Sequence, residues 1–147
     1  MDRSHFDKVA ADFNGTEGYM GTGAMASWDA LLNFQRTREI KGDFFEIGAF
    51  RGKSATIMAN HARPDEKIAL VDSELEGNQM DETRSRIDQI KPGTTIHVCR
   101  SDGLTQHMDL DAAAKSCRWV HIDGFHSMAA VINDLTIADT LLKHDGL

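Results

Sequence analysis

The chain has 147 residues, 41% hydrophobic and 27% charged, with a net charge of −7, the make-up of one soluble globular domain long enough to bury its own core. An acidic balance without runs of Lys or Arg excludes a nucleic-acid or anionic-membrane surface. No apolar run approaches the ~20 residues of a membrane span, and the start Met1-Asp2-Arg3-Ser4-His5 lacks a signal-peptide core, so a cytoplasmic protein is expected.

Residues 1–23 are polar and rich in glycine and predict a flexible N-terminal arm, with the folded domain over residues 24–147. Met25, Trp28, Leu31 and Leu32 recur at helical spacing, and that helix stops before Gly42. From there strands and helices alternate. Residues 43–47 (DFFEI) predict a strand, 52–62 a helix stopped by Pro64, and 67–72 (KIALVD) a second strand. A helix follows across Met80, Arg84, Ile87 and Ile90, with Asp81 and Glu82 at its favourable end and Lys91-Pro92-Gly93 as its stop. Residues 94–99 (TTIHVC) predict a third strand, about 104–114 a short helix, and 118–123 a fourth strand. Ser127 caps a last helix whose apolar positions are Met128, Val131, Ile132, Leu135 and Leu142. Cys99 and Cys117 sit in apolar strand-like stretches and read as buried thiols of a reducing compartment.

Strands joined by helical crossovers pair in parallel with right-handed connections, which predicts a doubly wound α/β sheet of Rossmann-like type. Ligands of such sheets collect beyond the carboxyl ends of the strands. The first strand runs into Glu46-Ile47-Gly48-Ala49-Phe50-Arg51-Gly52-Lys53-Ser54. Gly48 and Gly52 allow a tight turn and a close ligand approach, and Ser54 adds a hydroxyl in the first helical turn. A plain strand-to-helix turn accounts for the same glycines. Asp72 ends the second strand, where an acid accepts both hydroxyls of a ribose. The spacing G-x-x-x-G lacks the third glycine of a dinucleotide cradle, and Glu46 repels phosphate while suiting a ligand ammonium group.

The stretches FFEIGAFRGKSA, IALVDSE, SDGL and WVHIDGFHSMAAVINDL, in this order, resemble the first four motifs of class I S-adenosylmethionine-dependent methyltransferases. The likeness is to the small-molecule O-methyltransferase branch: the glycine loop is similar to that of catechol-type enzymes, and D-G-x-H to that of macrocin- and mycinamicin-type enzymes. EGYM at 17–20 resembles the gating segment of that group. The resemblance implies that Gly48, Ala49 and Gly52 line the methionine part of S-adenosyl-L-methionine. It further implies that Ser54 meets the cofactor's carboxylate, Glu46 its ammonium group and Asp72 its ribose, with Phe50 and Ser73 also among the cofactor-binding residues. Ser101 and Asp102 would border adenine, and Met20 would close over the cofactor. Without the resemblance, Ser101-Asp102-Gly103 is a turn with a helix cap, and Glu46 a structural ion-pair partner.

At the end of the fourth strand, Asp123 can hold Mg²⁺, which favours oxygen ligands, and His126 can accept a hydroxyl proton near neutral pH. The resemblance implies these catalytic roles; a turn and a helix cap are the bland alternative. His121 reads as a hydrogen-bonded interior residue and Asp134 as a solvated or capping charge. Only about four of seven strands of such a sheet are present, with Leu147 as the first residue of a fifth, so a C-terminally truncated domain is expected. The expected function is O-methylation of a hydroxylated small molecule, a sugar or natural product, with Mg²⁺ assistance and homo-oligomerisation left open. The alternatives are an oxygenase relative of the cephalosporin-hydroxylase type, or an inactive domain serving as a binding or oligomerisation module.

Overall fold

The computed structural model describes residues 3–73, 78–94, 96–100 and 114–147. Their elements, in chain order, are α1 (Arg3–Asn14), α2 (Thr22–Thr37), β1 (Asp43–Ile47), α3 (Lys53–His61), β2 (Ile68–Asp72), α4 (Gln79–Ile90), β3 (Ile96–Arg100), β4 (Cys117–Ile122) and α5 (Met128–Leu141). The expected helix at about 104–114 lies outside the described residues, apart from its last position.

The strands form one parallel sheet in the order β3-β2-β1-β4, as the Rossmann-like reading requires. Strand order reverses between β1 and β4, which places the switch point beside the glycine loop. Phe44 aligns with Ile68 and Trp119, and Glu46 with Leu70 and His121. Helices cover both faces, so β1 and β2 are buried almost throughout. Phe44, Ile68, Leu70 and Trp119 pack with residues from α1, α2, α3 and α4. On the other face Phe45, Ile47, Ala69, Val71 and Cys117 meet Ile137 and Leu141 of α5. Burial pushes the Cys117 thiol up to about 11, so it is an inert core group.

Residues 3–14, expected to belong to a loose arm, instead form α1. Val9 and Phe13 are fully buried on one narrow face, while Lys8 reaches Asp12 and Asn60 at 3.0 and 2.6 Å. Phe6, Val9, Ala10 and Phe13 recur at i, i+3, i+4 and i+7 and all pack on the core, an amphipathic signal that the glycines at 15, 18, 21 and 23 outweighed in the reading of an arm. α1 meets α2 and α3 at the last turn of α3, where His61 lies against Asp29 and His5. Burial holds the His61 imidazole neutral, pushed down to about 4 against the opposing pull of Asp29.

The phase of α5 also differs from expectation. Ser127 caps it as predicted, its hydroxyl accepting from Ala130 N–H at 3.2 Å. Met128, Val131, Ile132 and Leu135 nevertheless face solvent, whereas Asp134, Ile137 and Leu141 face the sheet. The helix is apolar on more than one face, so hydrophobic spacing alone does not select the packed one.

The amino ends of the strands are joined by a buried ion pair. Arg118, 2% exposed, gives Nε and Nη2 to the two oxygens of Glu66, each at 2.9 Å. Its Nη1 reaches Gln35 Oε1 at 2.7 Å, and Nη2 also donates to the carbonyl of His61 at 3.1 Å. Glu66 accepts in addition from Gly42 N–H and Arg63 N–H. Removing one partner of such a pair strands the other as a buried charge. Glu66→Ala is expected to lower stability by about 3–5 kcal/mol in urea unfolding. The double substitution Glu66→Leu with Arg118→Met should restore part of that loss, since it leaves no fully buried charge unpaired; Arg63, which also pairs with Glu66 at 3.6 Å, is partly exposed.

Candidate functional site

The site is built where β1 and β4 end side by side. Gly48 has φ +87° and Gly52 φ +75°, a region costly to residues with a Cβ. Their neighbours are protein. A Cβ on Gly48 would lie 2.0 Å from the Asp123 carbonyl oxygen, and one on Gly52 would lie 2.7 Å from Thr83 Cγ2 of α4. The glycines therefore let the chain pack against itself as well as turn. Gly48→Ala should cost about 3 kcal/mol or more, from backbone strain plus overlap. Gly93→Ala, also at positive φ (+80°) but with open space around it, should cost only about 1–2 kcal/mol. Chemical denaturation midpoints of the two variants test this difference.

The loop's amides are engaged internally. Gly48 and Ala49 N–H both reach the Val71 carbonyl (2.8 and 3.3 Å), and Gly52 N–H reaches that of Ala49 (2.7 Å). Phe50, a non-glycine residue at φ +46°, donates its N–H to Asp72 Oδ2 at 2.6 Å. With these four amides engaged, the glycine turn itself offers little to a pyrophosphate, whose cradle needs free amides. The Ala49 side chain is buried in the core.

Behind the loop, Glu46 is completely buried. Its Oε1 accepts from the Ser54 hydroxyl and lies 2.8 Å from His121 Nδ1, while Oε2 has no hydrogen-bond partner among the described residues. A buried carboxylate oxygen without a donor is costly. His121 also packs edge-on against Trp28, ring centroids 4.5 Å apart, so the expectation of a hydrogen-bonded residue agrees with its position. Sequence spacing did not reveal that its partner would be Glu46 across the β1–β4 pair.

Segment 17–20 lies against the loop: Glu17 pairs with Arg51, and Tyr19 stacks on Phe50 with ring centroids 5.5 Å apart. Tyr19 is otherwise 95% exposed, and Met20 packs on the core beneath. Asp72 ends β2, followed by exposed Ser73. Ser101 and Asp102 lie outside the described residues.

At the rim, Asp123 Oδ1 and His126 Nε2 are 3.6 Å apart, with side chains 64% and 81% exposed. Asp134 is not the solvated charge expected; it is buried, and a Cβ on Gly124 would lie 3.2 Å from its Oδ2. Its spacing to Ile137 and Leu141 was the available signal. Among the described residues Asp123 belongs to no group of three potential metal ligands.

Residues 45–147 match the model of a family described as a methyltransferase domain. The chain is similar in fold to a cyclopropane-fatty-acyl-phospholipid synthase-like protein from Lactobacillus casei, with a TM-score of 0.55 and 14% identity. That likeness covers 91% of this chain and 54% of the other, so this chain spans about half of that protein's length. No curated protein matches it. The family match covers well over half of the sequence and coincides with the switch-point site, and the chain belongs to the methyltransferase-domain family.

Proposed function

We propose that this chain forms the S-adenosylmethionine-binding part of an enzyme that O-methylates a hydroxylated small molecule, a sugar or natural product. Family membership implies use of this cofactor, and the observation that carries the assignment is Glu46. Its buried, unpartnered Oε2 at the carboxyl end of β1 suits an ammonium group, and Ser54 and His121 hold its other oxygen in place. Asp72 stands at the end of the neighbouring strand for a ribose, and Gly48, Phe50, Gly52 and Ser73 form the surrounding wall. The cofactor supplies an activated methyl group. Transfer to oxygen then depends on alignment and on removal of the hydroxyl proton.

His126 is the proposed proton acceptor, with Asp123 beside it at 3.6 Å. In the Mg²⁺-assisted form Asp123 is a ligand; that ion needs several oxygen ligands, and among the described residues Asp123 belongs to no group of three. A second reading, a binding or oligomerisation module, draws on the exposed apolar row Phe125, Met128, Ile132 and Leu135 beside this rim.

Isothermal titration with S-adenosylhomocysteine separates the two. Binding is expected, weakened about ten- to a hundredfold by Glu46→Gln, the value of one charge-assisted hydrogen bond, and similarly by Asp72→Ala. Absence of binding, or an Asp72→Ala variant that binds like wild type, would overturn the assignment; a defined dimer without affinity would favour the module.

A further inference from the structure

We propose that His5, Asp29 and His61 form a structural site for a divalent transition-metal ion, with the donor set of zinc, that clamps α1 onto α2 and α3. Nothing in the sequence brings these residues together, since each comes from a different helix. The fold does. His61 Nε2 lies 3.0 Å from Asp29 Oδ1 and 3.4 Å from His5 Nε2, and His5 Nε2 lies 3.8 Å from the same Asp29 oxygen. Bonds of ~2.0–2.1 Å from zinc to nitrogen or oxygen put neighbouring donors of a tetrahedron ~3.3 Å apart. The three atoms thus already outline one tetrahedral face, with a mean edge close to that value.

The surroundings point to the same occupant. Asp29 and His61 side chains are 0% and 1% exposed, and that of His5 is 18% exposed. A fully buried carboxylate requires compensation. Among the described residues the groups facing Asp29 are the amide of Asn33 and two imidazoles, none of which carries a permanent positive charge. The imidazole rings meet at 80°, and two imidazole nitrogens and one carboxylate oxygen lie within 3.8 Å of one another. The second carboxylate oxygen is held by Asn33 Nδ2 at 3.1 Å, the outer-shell bond that fixes a metal-binding carboxylate. His5, the partly exposed member, gives the cluster its side toward solvent.

The location argues for a structural role. His61 ends α3, whose first turn carries Ser54 at the glycine loop. Nine residues separate the two ends of that helix by ~12 Å, so the cluster sits toward the opposite end of the sheet from Glu46 and Asp123. Its carbonyl belongs to the Arg118 network.

The test uses untagged protein freed of metal with chelator, then titrated with Co²⁺. One equivalent should bind with visible absorption of a tetrahedral kind, be displaced by Zn²⁺, and Zn²⁺ should raise the melting temperature above that in EDTA. His5→Gln, at the solvent edge and therefore tolerated by the fold, should weaken Zn²⁺ binding more than tenfold and remove the melting shift. Asp29→Asn, which preserves shape, should do the same, whereas His126→Gln should leave the ion bound. A wild-type protein that takes up no equivalent, or a His5→Gln variant that binds Zn²⁺ like wild type, would overturn the proposal.

Discussion

The position of β4 beside β1 rests on the buried pair of Arg118 and Glu66. Arg118 is the second residue of β4, and its guanidinium reaches the chain before β2 through Glu66, α2 through Gln35 and the end of α3 through the His61 carbonyl. Gln35 returns a hydrogen bond to the Arg118 carbonyl at 2.7 Å, and the Phe44 ring lies 4.2 Å under the guanidinium carbon. Burial of Trp119 on one face and Cys117 on the other already specifies the register of β4, and the directional bonds of Arg118 reinforce it, because a slip of one residue would strand every partner. The irregular step between Asp43 and Phe44 in the β1–β4 pairing falls at this end.

With one end of the sheet held in this way, the other is free to carry chemistry. The carboxyl ends of β1, β2 and β4 present Glu46, Asp72 and Asp123, three acids in an already acidic protein. Each is managed differently. Glu46 is buried and half satisfied, Asp72 accepts a loop amide, and Asp123 remains at the surface with His126. That gradient of burial suits a cationic ligand held deep and a reacting group held at the rim.

Much of this was legible in the sequence because strand and helix periods are local. The strands at 43–47 and 67–72 needed only runs of apolar residues, and the last helix needed only Ser127 ahead of it. Gly48 and Gly52 marked a turn, although the bodies they avoid, Asp123 and Thr83, come from distant parts of the chain. What could not be read was tertiary. Glu66 and Arg118 are 52 positions apart, and His5, Asp29 and His61 are polar residues in three separate helices. α1 had a local signal in Phe6, Val9, Ala10 and Phe13 and was passed over for the glycines that follow it, and α5 was mis-phased because an excess of apolar residues hides which face is covered. Asp134 was misread for the same reason, since its burial follows from the phase of the helix and not from its own charge.

The contact between Gly48 and the Asp123 backbone limits how this site can diversify. Loop and strand end touch backbone to backbone, and a Cβ at position 48, 2.0 Å from the Asp123 carbonyl oxygen, has no room between them. On the proposed assignment, adaptation to a new acceptor cannot come from a larger residue at position 48 and is left to the side chains at 123 and 126 and to the exposed surfaces beyond them.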